Sequence, residues 1–278
     1  MLYATRIEPN RLVIRRLTIE FEPSRLPFEK LTILHISDLH IKGHRDPKAW
    51  MIDRIRAIDS DLIAITGDFI ELDSGTDLCV ELISRLRSRL GVYAVLGNHD
   101  YFHNDSGVIT QILNAVRNVI RFNPRLRNDT ATLARKLEQR NVRILNNESV
   151  RLLVNGSHLW LVGVNDPISG QDDLPRALEG VPEKDFSILL THSPESSFAA
   201  QERGVDIVLA GHTHGGQVKI PLIGAVVSRT RGRVPTISGI KKMGSTWLYV
   251  SAGLGASVPL RFLSPPEATL IELKRRKP

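Results

Sequence analysis

Leu209-Ala210-Gly211-His212-Thr213-His214-Gly215-Gly216-Gln217 places two histidines in a glycine-rich turn. The run before it, Val205-Asp206-Ile207-Val208-Leu209-Ala210, has the length and composition of a buried strand. The strand stops at Gly211, and His212 and His214 follow with one residue between them. In an extended chain, side chains at i and i+2 point to the same side. Neutral imidazoles paired at a strand end are a common way to build a metal site. Two surface histidines in a turn would read the same, so the rest of the chain has to decide.

Upstream the pattern repeats. The apolar run at 186–191 ends in His192, and the run at 91–96 ends in Gly97-Asn98-His99-Asp100. The run at 62–66 ends in Gly67-Asp68, and the run at 31–37 ends in Asp38-Leu39-His40, a second i, i+2 pair. Apolar residues at helical spacing predict helices over 46–59, 76–90 and 194–203, between these strands. Further strands are expected near 11–22, 142–146, 150–154, 158–164, 246–251 and 267–273. In layered α/β folds the strands are buried and chemistry collects beyond their carboxyl ends. If the five strands lie side by side, Asp38, His40, Asp68, Asn98, His192, His212 and His214 converge. One Asp after a strand is ordinarily a helix cap. Five strand ends in succession, all carrying O or N donors, are not explained by caps.

Seven such donors exceed the needs of one tetrahedral ion and suit two ions sharing a carboxylate. Carboxylate and imidazole without thiolate suit Mn, Fe, Zn, Ni or Co alike, with Mn the expected ion. A shared carboxylate sets two metals ~3.5–4 Å apart, the spacing of phosphoryl hydrolases, and lowers the pKa of bound water to about 7. Two divalent ions leave the site positive, which favours an anionic phosphorus centre.

Bulk composition is consistent with this. The chain has 278 residues, and with 42% hydrophobic and 24% charged residues it can build one soluble domain over 1–278. Its lone Cys79 excludes internal disulfides and Cys-rich metal sites, and reads as a buried helix thiol. A net charge of +7 points to an anionic partner such as a phosphate ester, nucleic acid or anionic lipid. No apolar run approaches the ~20 residues of a membrane span. The start, Met1-Leu2-Tyr3-Ala4-Thr5-Arg6, lacks the apolar core of a signal peptide. The expected location is the cytoplasm, free or peripheral on the inner face of the membrane.

Asp38-x-His40, Gly67-Asp68, Gly97-Asn98-His99-Asp100, His192 and Gly211-His212-x-His214 together resemble the calcineurin-like metallophosphoesterase superfamily, over about residues 31–218. The resemblance implies an α/β fold, a four-layer αββα sandwich of two mixed sheets flanked by helices. It implies a dinuclear metal-dependent phosphoesterase. Asp38, His40 and His214 would hold the first ion together with Asp68, which bridges. Asn98, His192 and His212 would hold the second. His99 would face the phosphate and protonate the leaving oxygen, and Asp100 would orient it.

The run Tyr249-Val-Ser-Ala-Gly-Leu-Gly-Ala-Ser257, with Arg261-Phe262 and Pro265-Pro266-Glu267, resembles a bacterial phosphodiesterase branch of that superfamily. Members of this branch are often tied to the membrane, and some are UDP-2,3-diacylglucosamine pyrophosphatases of lipid A synthesis. Two departures leave the substrate open. The connection at 101–143 is longer than is common there, and the N-terminal membrane segment of many members is not seen. Within that connection, residues 111–143 carry eight Lys or Arg against Asp129 and Glu138. Ile109, Ile112, Leu113, Val116 and Ile120 follow helical spacing, and Pro124 separates two expected helices. This basic insertion would meet an anionic membrane as a lid, clamp a pyrophosphate, or pack on the protein's own core. A nuclease or cyclic nucleotide phosphodiesterase with the same site is the alternative. The insertion has few aromatics for base stacking, which counts against nucleic acid. A scaffold without activity is disfavoured by the complete donor set. Of the remaining histidines, His35 is expected between the sheets, His44 and His103 near the site, and His158 without a role.

Overall fold

The computed structural model describes residues 2–103, 125–222, 224–225, 230, 234–258 and 260–277. The chain first lays down β1 (Val13–Phe21), β2 (Lys30–Ile36), β3 (Leu62–Thr66), β4 (Val92–Val95) and β5 (Val142–Ile144). Then come β6 (Glu148–Val154), β7 (Ser157–Gly163), β8 (Ser187–Leu190) and β9 (Ile207–Ala210). After a two-residue pair, β10 (Lys219–Ile220) and β11 (Gly224–Ala225), follow β12 (Gly239–Met243), β13 (Thr246–Val250) and β14 (Glu267–Arg275). Two six-stranded sheets result, in the orders β1-β14-β2-β3-β4-β5 and β12-β13-β9-β8-β7-β6. Both are mixed: β2 to β5 run parallel with β14 antiparallel beside them, and β7, β8, β9 and β13 run parallel between antiparallel edges.

Side chains alternate between the faces of each strand, and that alternation builds the layers. From β2, Leu31 and Ile33 enter the core between the sheets, where they meet Leu161, Ile188, Ile207 and Leu209 of the second sheet. Leu34 and Ile36 point the other way, under Met51, Ile52 and Ile55 of α1 (Ala49–Ile55) and Leu82 and Ile83 of α2 (Thr76–Ile83). The second sheet's outer face buries Val162, Leu189, Val208 and Leu248 under Ala177 and Ala200. The order is helix, sheet, sheet, helix, as expected for an αββα sandwich. The central strands are buried on both faces, which is why they read as unbroken apolar runs.

His35 lies between the sheets, with Nε2 2.9 Å from Thr66 Oγ1 and its ring edge-on to Tyr249. Cys79 is buried in α2. The helix expected over 76–90 stops at Ile83, because the chain turns to bring Leu90 N to Asp61 O and Ser88 Oγ to Gly91 O.

The helix expected around 109–120 lies outside the described residues. The ends of that connection pair with each other, Phe102 bridging to Arg127. After a short helix α3 (Asn98–Tyr101), helix α4 (Thr130–Glu138) starts at Asp129, whose carboxylate accepts from Thr132 N. Its Leu133 and Leu137, one turn apart, are buried in the first sheet's helical layer. Each contributes ~2 kcal/mol of apolar burial. This part of the insertion therefore packs on the protein's own core. No helix among the described residues is long and apolar enough to cross a membrane.

The parallel strands β2, β3 and β4, and across from them β8 and β9, end in near-flush register: Ile36 pairs with Ile65, Thr66 with Val95, and Leu190 with Leu209. The loops that follow are thereby gathered at one edge of the sandwich.

Candidate metal centre

The pairing of β2 and β3 continues into their loops, with Asp38 N bonding Gly67 O, His40 N bonding Asp68 O and Ile41 N bonding Phe69 O. Across the sandwich, Gly211 N bonds His192 O and His212 N bonds the Asp38 carboxylate at 3.1 Å. Asp38, His40, Asp68, His212 and His214 all take φ between 48° and 70°. Non-glycine residues seldom adopt that left-handed region, and their concentration marks strain held at a functional site. The turns are also crowded. A Cβ on Gly97 would overlap Asp68 Oδ1, and one on Gly211 would overlap Ser37 Oγ and Asp38 Oδ2. The glycines ahead of the polar residues are what let the loops close together.

The structure brings the expected donors together. Donor atoms of Asp38, His40 and His214 lie within 4.8 Å of one another, and so do those of Asp68, His192 and His212. Asp68 stands between the two groups: its Oδ2 is 3.3 Å from His40 Nε2 and 3.3 Å from His192 Nε2. Donors ~2.1 Å from one ion at right angles stand about 3 Å apart, so these spacings suit shared ions better than direct hydrogen bonds. His40 Nε2 and Asn98 Oδ1 are buried without a hydrogen-bond partner. Buried polar atoms left in this way are costly, and a cation relieves them. The residues therefore fit a pair of divalent ions.

Electrostatics point the same way. Burial would raise Asp68, yet His192, His99 and His40 hold its carboxyl well below the usual range. Burial would lower His192, yet Asp68 and Asp38 lift it well above the ordinary imidazole value. His40, opposed by burial but facing Asp68 and Glu71, is pushed up to about 9. Divalent ions would take over the role of the protons on these imidazoles.

His99 differs from the donors. Its side chain is 12% exposed, where those of His40, His192 and Asp38 are 0%. Its backbone N bonds Asp68 Oδ1 at 2.8 Å, its ring lies edge-on to His40 with centroids 4.8 Å apart, and Nε2 is 3.5 Å from Ser257 Oγ. Asp100 does not touch the His99 ring. Its carboxylate accepts from Gly97 N, Phe69 N and Ile70 N, locking the loop at 67–71 to the loop at 97–100. Burial and nearby Asp68 push it up to about 7. The carboxylate beside His99 is Glu71, whose Oε1 is 3.4 Å from His99 Nδ1 and whose Oε2 is 2.7 Å from His40 Nδ1. Burial notwithstanding, His99 and His40 hold Glu71 well below its usual value. Its signal in the sequence was its place three residues after Asp68, on the same loop.

Asn128, also unanticipated, donates from Nδ2 to His99 O at 2.8 Å and carries His103 Nδ1 on its Oδ1 at 3.1 Å. His103 thus supports the His99 loop from behind. His44 and His158 are exposed.

The sequence profile described as calcineurin-like phosphoesterase matches residues 31–216. The Bacillus subtilis metallophosphoesterase YkuE is 29% identical over 98% of this chain and 89% of its own. The Chlamydia trachomatis UDP-2,3-diacylglucosamine pyrophosphatase LpxG is 30% identical over 97% of this chain and 92% of its own. The Escherichia coli phosphodiesterase YaeI is 26% identical over 94% and 87%. With the profile covering most of the sandwich and every strand-end donor within it, this chain belongs to the calcineurin-like phosphoesterases, a family of metal-dependent hydrolases.

Proposed function

We propose that the chain hydrolyses a phosphodiester or pyrophosphate bond at a dinuclear site. Asp38, His40 and His214 would hold one ion and Asn98, His192 and His212 the other, with Asp68 shared between them. The observation that carries this reading is Asp68 Oδ2 at 3.3 Å from both His40 Nε2 and His192 Nε2. Divalent ions, when bound there, supply Lewis-acid stabilisation of phosphorus and an activated water at neutral pH. We favour Mn, with Fe, Zn, Ni and Co accepted by the same donors.

The protein's own groups do the remainder. His99 stands at the open side, where Nε2 can give its proton to the leaving oxygen. Glu71 faces that ring, with Oε1 3.4 Å from Nδ1, and orients His40 through its own Nδ1. Asp100 acts through the backbone, holding the two loops in register.

The substrate we favour is UDP-2,3-diacylglucosamine or a related membrane-linked phosphate, acted on at the inner face of the membrane. Supporting this, LpxG matches nearly end to end, and the net charge of +7 suits an anionic surface. Hydrolysis of bis-p-nitrophenyl phosphate, p-nitrophenyl phosphate and UDP-2,3-diacylglucosamine with added Mn tests the reading. The expected result is turnover of the glycolipid and the small diester over the monoester. A preference for the monoester, or no turnover of the glycolipid, would overturn the substrate assignment.

A further inference from the structure

Most of the large apolar side chains exposed among the described residues share one face beside the metal centre. Leu2, Tyr3 and Ile7 project from the N-terminal segment, 69%, 39% and 50% exposed. Ile220 at the end of β10 and Leu222 in the turn after it project outward, and Leu222 has no cover among the described residues. Leu263 is 48% exposed.

Direct contacts join these pieces. The Tyr3 ring stands edge-on to Phe262, Arg261 N bonds Ala4 O, and Lys219 N bonds Phe262 O. Glu8 accepts from Leu263 N and Ser264 N. Alongside runs a groove of about 560 Å³ lined by Ile14, Leu17, Ile240 and Leu263 with Arg15 and Lys219. Ser264 Oγ donates to His214 O, so the face adjoins the metal centre.

The exposed charge on this face has one sign. Its segments, 2–17, 219–222, 238–242 and 260–264, carry Glu8 as their one acidic residue, Glu8 is buried, and the acid of the groove, Glu267, is buried and paired with Arg15. Arg6, Arg11, Arg16, Lys241 and Lys242 of these segments are exposed. Leu222 and Leu263 moreover hold φ of 69° and 55°, a conformation unfavourable for leucine, while giving their side chains to solvent. At Leu222 the strain is held with no covering side chain among the described residues, which favours a use for that side chain outside the fold.

We propose that this face docks the protein on an anionic lipid bilayer, Leu222, Leu263 and Ile7 entering the headgroup region and the cations meeting lipid phosphates. Apolar tips among basic residues, with no exposed acid, are what an anionic interface selects. This deepens the membrane-linked reading above and gives the docking role to the N-terminal segment, residues 219–222 and Leu263. Docking is measured apart from hydrolysis, so either can fail alone.

The test is flotation of the full chain with vesicles of phosphatidylcholine alone, or of phosphatidylcholine with an equal part of phosphatidylglycerol. Wild type is compared with the double variant Leu222→Asn, Leu263→Asn. Asn tolerates the left-handed backbone, so the fold should be kept and thermal unfolding not lowered. The expected result is binding to the anionic vesicles, weakened by salt, and reduced at least about tenfold in the double variant, the factor for one partly inserted leucine. Hydrolysis of a small soluble diester stays unchanged. Wild-type binding that ignores phosphatidylglycerol, or a folded double variant that binds like wild type, overturns the proposal. So does light scattering in which the variant breaks a wild-type oligomer, because the face is then a contact between proteins.

Discussion

The Glu71 carboxylate reaches His40 with Oε2 2.7 Å from Nδ1, so a carboxylate outside the donor set fixes a histidine inside it. An imidazole can present Nε2 to an ion only if the other nitrogen carries the proton, and Glu71 Oε2 is the acceptor that holds it there. The same carboxylate's other oxygen faces His99. One side chain thereby couples a donor to the group at the open side.

Replacing Glu71 should disturb both. Glu71→Ala is expected to weaken binding of one ion by 10–100-fold, in the range of about that size seen for such partners, and to lower kcat as well. Calorimetric titration with Mn beside steady-state turnover checks this. Intact affinity with intact kcat would remove Glu71 from the site.

His99 and Asp100 should separate. His99→Ala is expected to lower kcat on the small diester by ~10²–10⁴ with the metal content unchanged. Asp100→Asn puts an amide against a backbone N–H of Gly97, Phe69 or Ile70, and should cost roughly 1–3 kcal/mol of stability. Metal analysis and urea unfolding on both variants distinguish a group acting on substrate from one holding loops. An Asp100→Asn variant as stable as wild type but as slow as His99→Ala would restore the orienting role expected from the sequence.

His35 predicts a pH effect away from the metal centre. Burial lowers its pKa from 6.5 to about 3. Between those values the unfolded chain binds a proton that the folded chain refuses, so stability falls as pH drops through that window. From about pH 7.5 to about pH 5 this residue should remove about 2 kcal/mol. His35→Gln, which can still reach Thr66, should lose that dependence. Urea unfolding of both proteins at the two pH values gives the comparison, and parallel losses would contradict it.

The glycine ahead of His212 makes a steric prediction. Gly211→Ala drives a methyl onto Ser37 Oγ and Asp38 Oδ2. Overpacking of this kind costs about 1–3 kcal/mol. Asp38 should be displaced, so one ion per chain is lost, measurable by elemental analysis of the purified protein.

The sandwich and the candidate donors were legible because one physical rule served both. A strand buried on two faces must be apolar, so the first polar residue after Gly67, Gly97 or Gly211 stands out against it. Edge strand β12 obeys no such rule. It presents Lys241 and Lys242 to solvent, as edges do, and only the Gly244-Ser245 turn announced it. Glu71 was missed because its partners are brought to it by the folding-back of two loops, and spacing along the chain does not record that. Asp100 was misread for the same reason: adjacent to His99 in sequence, it points instead into three backbone amides. The left-handed turns at Asp38, His40 and Asp68 could not be read from residue type, because Asp and His take that conformation only where packing holds them.

In the proposed site Asp68 joins two ions. Electron paramagnetic resonance of the Mn-loaded protein, with the metal counted on the same sample, tests it most directly. The account predicts two Mn ions per chain with an exchange-coupled spectrum, and collapse of that coupling in Asp68→Ala. One ion per chain, or two ions giving uncoupled signals in the wild type, would contradict it.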